Sequence, residues 1–188
     1  METMDAIRRR HSVRLFGPAP LLDEQIERLI EAAAAAPSAF NSQPWRFHVA
    51  TGMVRDRVNE IMALSTVHLS EYVEILGPEG FEHAQEFYAN LGHAPIVIAC
   101  SLPSANTELD RINGYVSVVA AIENMLLAAT DMGLGSCNVT FSFWVRDQLR
   151  ETFEVPDGRE VVSLILIGHP AETPAAPRHR QDIATILE

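Results

Sequence analysis

The sequence predicts one domain in which a β-sheet is covered by helices, and three observations lead there. At 188 residues the chain is long enough for one sizeable core and short for two. Segments with helical apolar spacing alternate with short, continuously apolar runs, the pattern of buried strands between helices. The 47% hydrophobic and 21% charged content is that of an ordinary globular protein rather than a disordered chain. The spacing leaves open whether the strands run parallel.

Met4 to Arg10 reads as a short helix. Leu22 to Ala36 reads as a longer one, with Leu22, Ile26, Leu29, Ile30 and Ala33 on one face, Asp23 and Glu24 in the first turn and Pro37 as its stop. Trp45 to Ala50 is a strand of β-favouring residues, and Met53 to Leu76 a helical region closed by Gly77 and Pro78. Phe81 to Leu91 is a further helix and Pro95 to Cys100 a buried strand. Leu102 to Arg111, rich in Ser, Asn, Pro and Asp, reads as a mobile loop able to act as a lid. Gly114 to Met132 is apolar nearly all round, which predicts a central helix buried on most sides and stopped by Gly133 and Gly135. A strand or loop to Thr140, an amphipathic helix over Val145 to Phe153, an apolar strand over Val161 to Ile167 and a proline-rich extended tail from Gly168 complete the chain.

A net charge of −11 disfavours nucleic acid and anionic membranes, both of which attract basic surfaces. The first residues carry acids and arginines where a secretory signal needs an apolar stretch, and no segment reads as a bilayer span, so a cytoplasmic protein is expected. Cys100 and Cys137 lie at the ends of apolar runs without metal spacing and read as reduced, buried thiols. His48, His68, His83, His93 and His169 show no spacing with a carboxylate or cysteine, so no metal site is expected.

Within this acidic chain two cationic islands stand out: Arg8, Arg9, Arg10 and Arg14 near the start, and Arg178, His179 and Arg180 near the end. Taken alone, a basic run is usually a solvated turn. Here Ser12 lies between Arg10 and Arg14, offering a hydroxyl and a backbone N–H beside two guanidinium groups, a combination suited to a phosphate. A second polar stretch, Pro37-Ser38-Ala39-Phe40-Asn41-Ser42-Gln43-Pro44-Trp45, joins a helix to a strand, where loops often present polar groups to a ligand. Its plain alternative is a connection in which Ser38 and Asn41 satisfy nearby backbone groups.

Arg10-His11-Ser12-Val13-Arg14-Leu15-Phe16, followed by Pro37-Ser38, Asn41 and Gln43-Pro44-Trp45, resembles the opening signature of the nitroreductase family of flavoproteins. The resemblance continues through the central helix, Gly133-Leu134-Gly135-Ser136, Gly168-His169-Pro170 and the pair Arg178 and Arg180, spanning almost the whole chain. It implies an α+β fold, a homodimer and FMN at the dimer interface. By position, Arg10, Ser12 and Arg180 are expected at the phosphate, with Arg178 second to them, His11 among the cofactor-binding residues, and Arg14 at the N1/O2 edge of the flavin, where a cation stabilises the anionic reduced ring. Ser38 and Asn41 are expected along the ribityl chain and ring, and Asn138, Val139 and Thr140 at the N5/O4 edge. Met53 to Arg111 matches no motif position, while the short segment Ser136 to Thr140 is similar to that of compact members, deiodinases included.

The function so implied is a hydride shuttle in which NAD(P)H reduces FMN and leaves, after which a small flat acceptor such as a nitroaromatic or quinone takes its place. Dehalogenation, flavin cleavage and non-catalytic flavin binding remain as alternatives. No side-chain acid or base is assigned, because the flavin carries the redox chemistry. Gly133-Leu134-Gly135 follows a helix instead of opening one, so it is read as a helix stop and not a dinucleotide fingerprint. Phe141, Phe143 and Trp144 fit a flavin wall, the core or a dimer contact equally well.

Overall fold

The computed structural model describes residues 1–174 and 183–187. Helices α1 (Thr3–Arg9) and α2 (Asp23–Ala34) precede strand β1 (Arg46–Ala50), helices α3 (Gly52–Ser65) and α4 (Val73–Asn90) and strand β2 (Ile96–Pro103). Helix α5 (Glu108–Asp131), strand β3 (Gly135–Val139), helix α6 (Arg146–Thr152) and strand β4 (Arg159–Gly168) follow. The strands form one sheet in the order β1-β2-β4-β3, with every neighbouring pair antiparallel. That arrangement of helices around an antiparallel sheet is the expected α+β architecture.

Alternation along the two central strands divides the core. Ile98 and Ile165 are register partners on one face, with Leu29 and Ala33 of α2 and Val118, Ile122 and Met125 of α5 packed over them. Val97 and Leu166 are partners on the other, under Val58, Ile61 and Met62 of α3 and Leu149 of α6. Burial on both faces is why β2 and β4 are continuously apolar instead of alternating. Cys100 and Cys137 are buried, with free thiols, and burial pushes the Cys100 thiol up to about 12.

Four expectations change. Leu22 does not join the buried face of α2; it is exposed just before the helix, where its backbone N–H donates to Gln25 Oε1 at 2.9 Å. Gly77 and Pro78 do not end a helix but kink one: Gly77 takes φ +68°, and α4 resumes through Pro78, which tolerates the start of a helical stretch. The expected loop over Leu102 to Arg111 shrinks to four residues. Ser101, Leu102 and Pro103 continue β2 by pairing with Val161, Glu160 and Arg159, and Thr107 starts α5 by accepting from the Asp110 N–H at 3.1 Å.

The fourth correction concerns α5. Ser117, Val118, Ala121, Ile122, Met125, Leu126 and Ala129 are buried, but Leu109, Ile112, Val116 and Val119 are 48–66% exposed. By length and composition this helix is apolar enough to cross a membrane, yet one face is core and the other is an uncovered apolar strip.

Candidate functional site

The basic segment after α1 is seated by backbone contacts. The Val13 N–H donates to the Ser136 carbonyl at 2.9 Å, and Ser12 bridges Ser136 in parallel, so the segment lies along the outer side of β3. Phe16 continues the anchoring through its N–H to the Gly92 carbonyl at 2.9 Å, and Gly17 through the His169 carbonyl at 2.8 Å. Two glycines make the groove. A Cβ on Gly135 would stand 2.9 Å from Val13 Cγ1, and one on Gly92 would stand 1.9 Å from the Arg14 carbonyl oxygen, with Gly92 itself at φ +60°. Neither requirement was visible in the sequence, where Gly135 read as a helix stop and Gly92 drew no notice.

This seating lays residues 12–14 along β3: Ser12 pairs with Ser136, Ser12 and Arg14 both lie close to Cys137, and Asn138, Val139 and Thr140 follow in the chain. Asn138 and Thr140 are exposed, and Val139 is buried against β4 opposite Leu164. Arg14 is exposed; its N–H donates to Glu172 Oε1, and its Nη1 lies 3.4 Å from the Ser12 carbonyl. Arg10 Nε stands 2.9 Å from Glu123 Oε1 on α5 but is not aimed at it, which leaves a buried N–H without an acceptor. A hydrogen bond needs direction as well as a short separation. A guanidinium donor left unused in the turn before Ser12 fits a phosphate-bearing ligand. Arg178 and Arg180 lie outside the described residues.

Ser38 and Asn41 are held elsewhere. Their loop packs on α5 through the Ala39 N–H, which donates to Ser117 Oγ at 3.3 Å. Ser38 Oγ accepts from the Gln43 N–H at 2.9 Å, and Asn41 Oδ1 from Gln43 Nε2 at 3.2 Å, so both oxygens serve their own loop. Among the described residues no hydrogen bond or ion pair joins this loop to residues 10–14. The loop is strained: Phe40, Asn41 and Gln43 all have φ between +43° and +54°, and Phe40 is almost fully exposed.

Arg159, at the start of β4, fixes the far end of that loop. Its Nη2 donates to the Pro44 carbonyl at 2.7 Å and the Ser101 carbonyl at 2.8 Å, and its Nε to Ser101 Oγ at 3.1 Å. His48 Nε2 meets the same hydroxyl at 3.0 Å. Desolvation, then the charges of Arg159 and Arg46, holds His48 below its usual range.

Thr140 also borders an apolar cleft of about 530 Å³ between the 3₁₀ turn Thr66–Tyr72, α4 and the turn Phe141–Val145. Tyr88 stacks on Phe141 with centroids 4.4 Å apart, Tyr72 meets Phe141 edge-on at 5.9 Å, and His68 stacks on Trp144 at 4.0 Å. Burial raises the Tyr88 hydroxyl above its ordinary range, and Arg14 is close enough to oppose that shift. Of the three roles open to the Phe141 cluster, the structure supports walls of a cleft beside the expected N5/O4 residues. The contribution of Tyr72 and Tyr88 was not legible, because neither belongs to a motif.

The description of the nitroreductase family matches residues 7–169, which include both the basic segment and the Ser38 loop. The chain belongs to the nitroreductase family. Among relatives in that family, a nitroreductase of Mycolicibacterium smegmatis, NfnB, is 30% identical over 201 residues, covering 90% of this chain and 83% of its own. Two solved nitroreductases share the fold at lower identity. One, from Sphigopyxis and described as FMN- and NADPH-dependent, has a TM-score of 0.81 at 22% identity, covering 100% of this chain and 99% of its own. The other, from Desulfitobacterium hafniense and with bound FMN, has a TM-score of 0.81 at 23% identity over the whole of both chains. Nitroreductase family membership accounts for the architecture found here. Among the described residues, no group of three His, Cys, Asp or Glu side chains could hold a metal.

Proposed function

We propose that this protein holds FMN against the seated basic segment and uses it to pass hydride from NAD(P)H to a small acceptor lodged in the adjoining aromatic cleft. The protein is an NAD(P)H-dependent flavin oxidoreductase, and its cofactor is FMN. The observation that carries the reading is the pairing of Ser12 and Val13 with Ser136, which seats the basic segment on β3, the strand that leads into Thr140 and the cleft. Arg10 and Ser12, with His11 in the same turn and Arg178 and Arg180 from the tail, take the phosphate. Arg14 takes the N1/O2 edge, and Asn138, Val139 and Thr140 take the N5/O4 edge. FMN supplies the two-electron chemistry; the chain supplies position, a cation beside the reduced ring and a water-poor wall.

The functional unit is a homodimer of one 1–188 domain per chain. Two features support this: the uncovered strip of Leu109, Ile112, Val116 and Val119 on α5, and a Ser38–Asn41 loop held apart from the basic segment of its own chain. A second copy on that strip supplies its loop to the first copy's flavin. An interface of this obligate kind exceeds about 2,000 Å² in total. The same reading puts the protein in the cytoplasm, as its reduced thiols suit.

The test is anaerobic mixing of the FMN-loaded protein with NADH or NADPH. Bleaching of the flavin within seconds, followed by reoxidation on adding menadione or a nitroaromatic, is expected. With one flavin face serving donor and acceptor in turn, double-reciprocal plots should be parallel. Flavin that stays oxidised would favour a non-catalytic binding protein.

A further inference from the structure

We propose that the cleft beside Thr140 selects uncharged, flat aromatic acceptors and rejects anionic ones. This rests on the flavin-oxidoreductase reading and adds the acceptor class. The walls are rings and alkyl groups, with Leu69, Leu76, Tyr88, Phe141 and Trp144 among them, and among the described residues none that lines the cleft is charged. Tyr88 and Phe141 lie within 22° of parallel, as do His68 and Trp144 at 8°, so the walls are flat surfaces suited to a planar ring. The hydroxyls of Tyr72, Tyr88 and Thr140 are the polar groups offered, enough to donate to a carbonyl or nitro oxygen but too few to replace the hydration of a full charge.

The surroundings add a repulsive element. Between Arg57 and Arg111 the sequence has neither lysine nor arginine. The turn Thr66–Tyr72 and α4, which form one wall, carry Glu71, Glu74, Glu79, Glu82 and Glu86. Glu71 stands at the rim, with Oε1 3.4 Å from Nδ1 of His68, whose ring stacks on Trp144. Among the described residues two cations come near, and both are engaged: Arg14 at the inner end is assigned to the flavin, and Arg146 covers the Phe143 ring at 4.9 Å while facing Glu160 at 4.0 Å. A carboxylate or sulfonate entering the cleft therefore loses water without gaining a partner and approaches like charges on the way in.

The experiment compares 1,4-naphthoquinone with its 2-sulfonate on the FMN-loaded protein, with binding followed by quenching of tryptophan fluorescence and turnover by NADH oxidation. The sulfonate is the stronger oxidant, so a preference for the neutral quinone does not reflect driving force. At low ionic strength the neutral compound should bind at least about tenfold more tightly, and the gap should narrow as salt screens the glutamates. Leu76→Arg, which sets a cation in the wall, should shift the ratio of the two affinities towards the sulfonate by about fivefold or more. Equal or tighter binding of the sulfonate by the unaltered protein, or an unchanged ratio in Leu76→Arg, overturns the proposal. Binding needs no turnover, so a protein that prefers the neutral quinone yet fails to oxidise NADH keeps the cleft assignment and loses the hydride-shuttle reading.

Discussion

The basic segment and helix α4 flank the same end of the molecule but are held there in opposite ways. Residues 12–17 are tied by four backbone hydrogen bonds to β3, to the turn before β2 and to the end of β4, in a groove that two glycines keep open. Helix α4 has no buried residue, is kinked at Gly77 and carries its acidic side chains into solvent. The side proposed to face the cofactor is thus part of the sheet's own framework, whereas the side proposed to face the acceptor is laid over it. Substitutions on α4 can reshape the cleft at little cost in stability, and substitutions in the groove cannot.

The largest effect should come from closing the groove. Gly92→Ala puts a methyl group 1.9 Å from the Arg14 carbonyl at a left-handed backbone position. Strain and overpacking together should cost about 2–4 kcal/mol in denaturant unfolding, with most of the FMN lost on purification. A stable, yellow Gly92→Ala protein would show that the groove does not hold the segment. Next, Arg10→Ala should weaken FMN about ten- to hundredfold, the worth of a charge-assisted hydrogen bond of roughly 1.5–3 kcal/mol, with little change in unfolding. Titration of apoprotein with FMN measures it, and Arg180→Ala should act alike if the tail serves the same phosphate.

On the other side of the comparison, Glu82→Gln on α4 should leave unfolding within about 0.5 kcal/mol and FMN retention unchanged. A larger loss would mean that α4 is part of the framework after all. The smallest effect is a pH dependence at the sheet edge opposite β3. His48 has a folded value lowered mainly by burial from an ordinary 6.5, so the unfolded chain binds the proton more readily. Stability should therefore decline as pH falls through about 6.5 towards the folded value and then level off. His48→Gln should flatten that part of the curve in thermal melts taken across the acid range.

The same contrast explains what could be read in advance. The apolar runs of β2 and β4 and the spacing of α2 are local signals, and each falls on its expected element. Strand order was not legible, because β4 enters between β2 and β3 through pairings distant in sequence. Leu102 and Pro103 read as loop because their strand character comes from partners in β4. The exposed strip of α5 shows why an all-round apolar helix says little about what covers each face. In the site, the motif located the arginines, but the fit of Val13 over Gly135 and the hold of Arg159 on the Pro44 carbonyl depend on chain segments that meet only after folding.

The bridge between Ser12 and Ser136 also protects the protein from itself. β3 is an edge strand, and an open edge invites pairing with other chains. The segment that carries Arg10 and Arg14 occupies that edge at Ser136, so it works as a guard in addition to the cofactor role proposed for it. Deleting it would uncover Ser136 for intermolecular pairing and turn a loss of flavin into a loss of solubility. Point substitutions of the arginine side chains, which keep the backbone bridge, are therefore the clean way to separate the two roles.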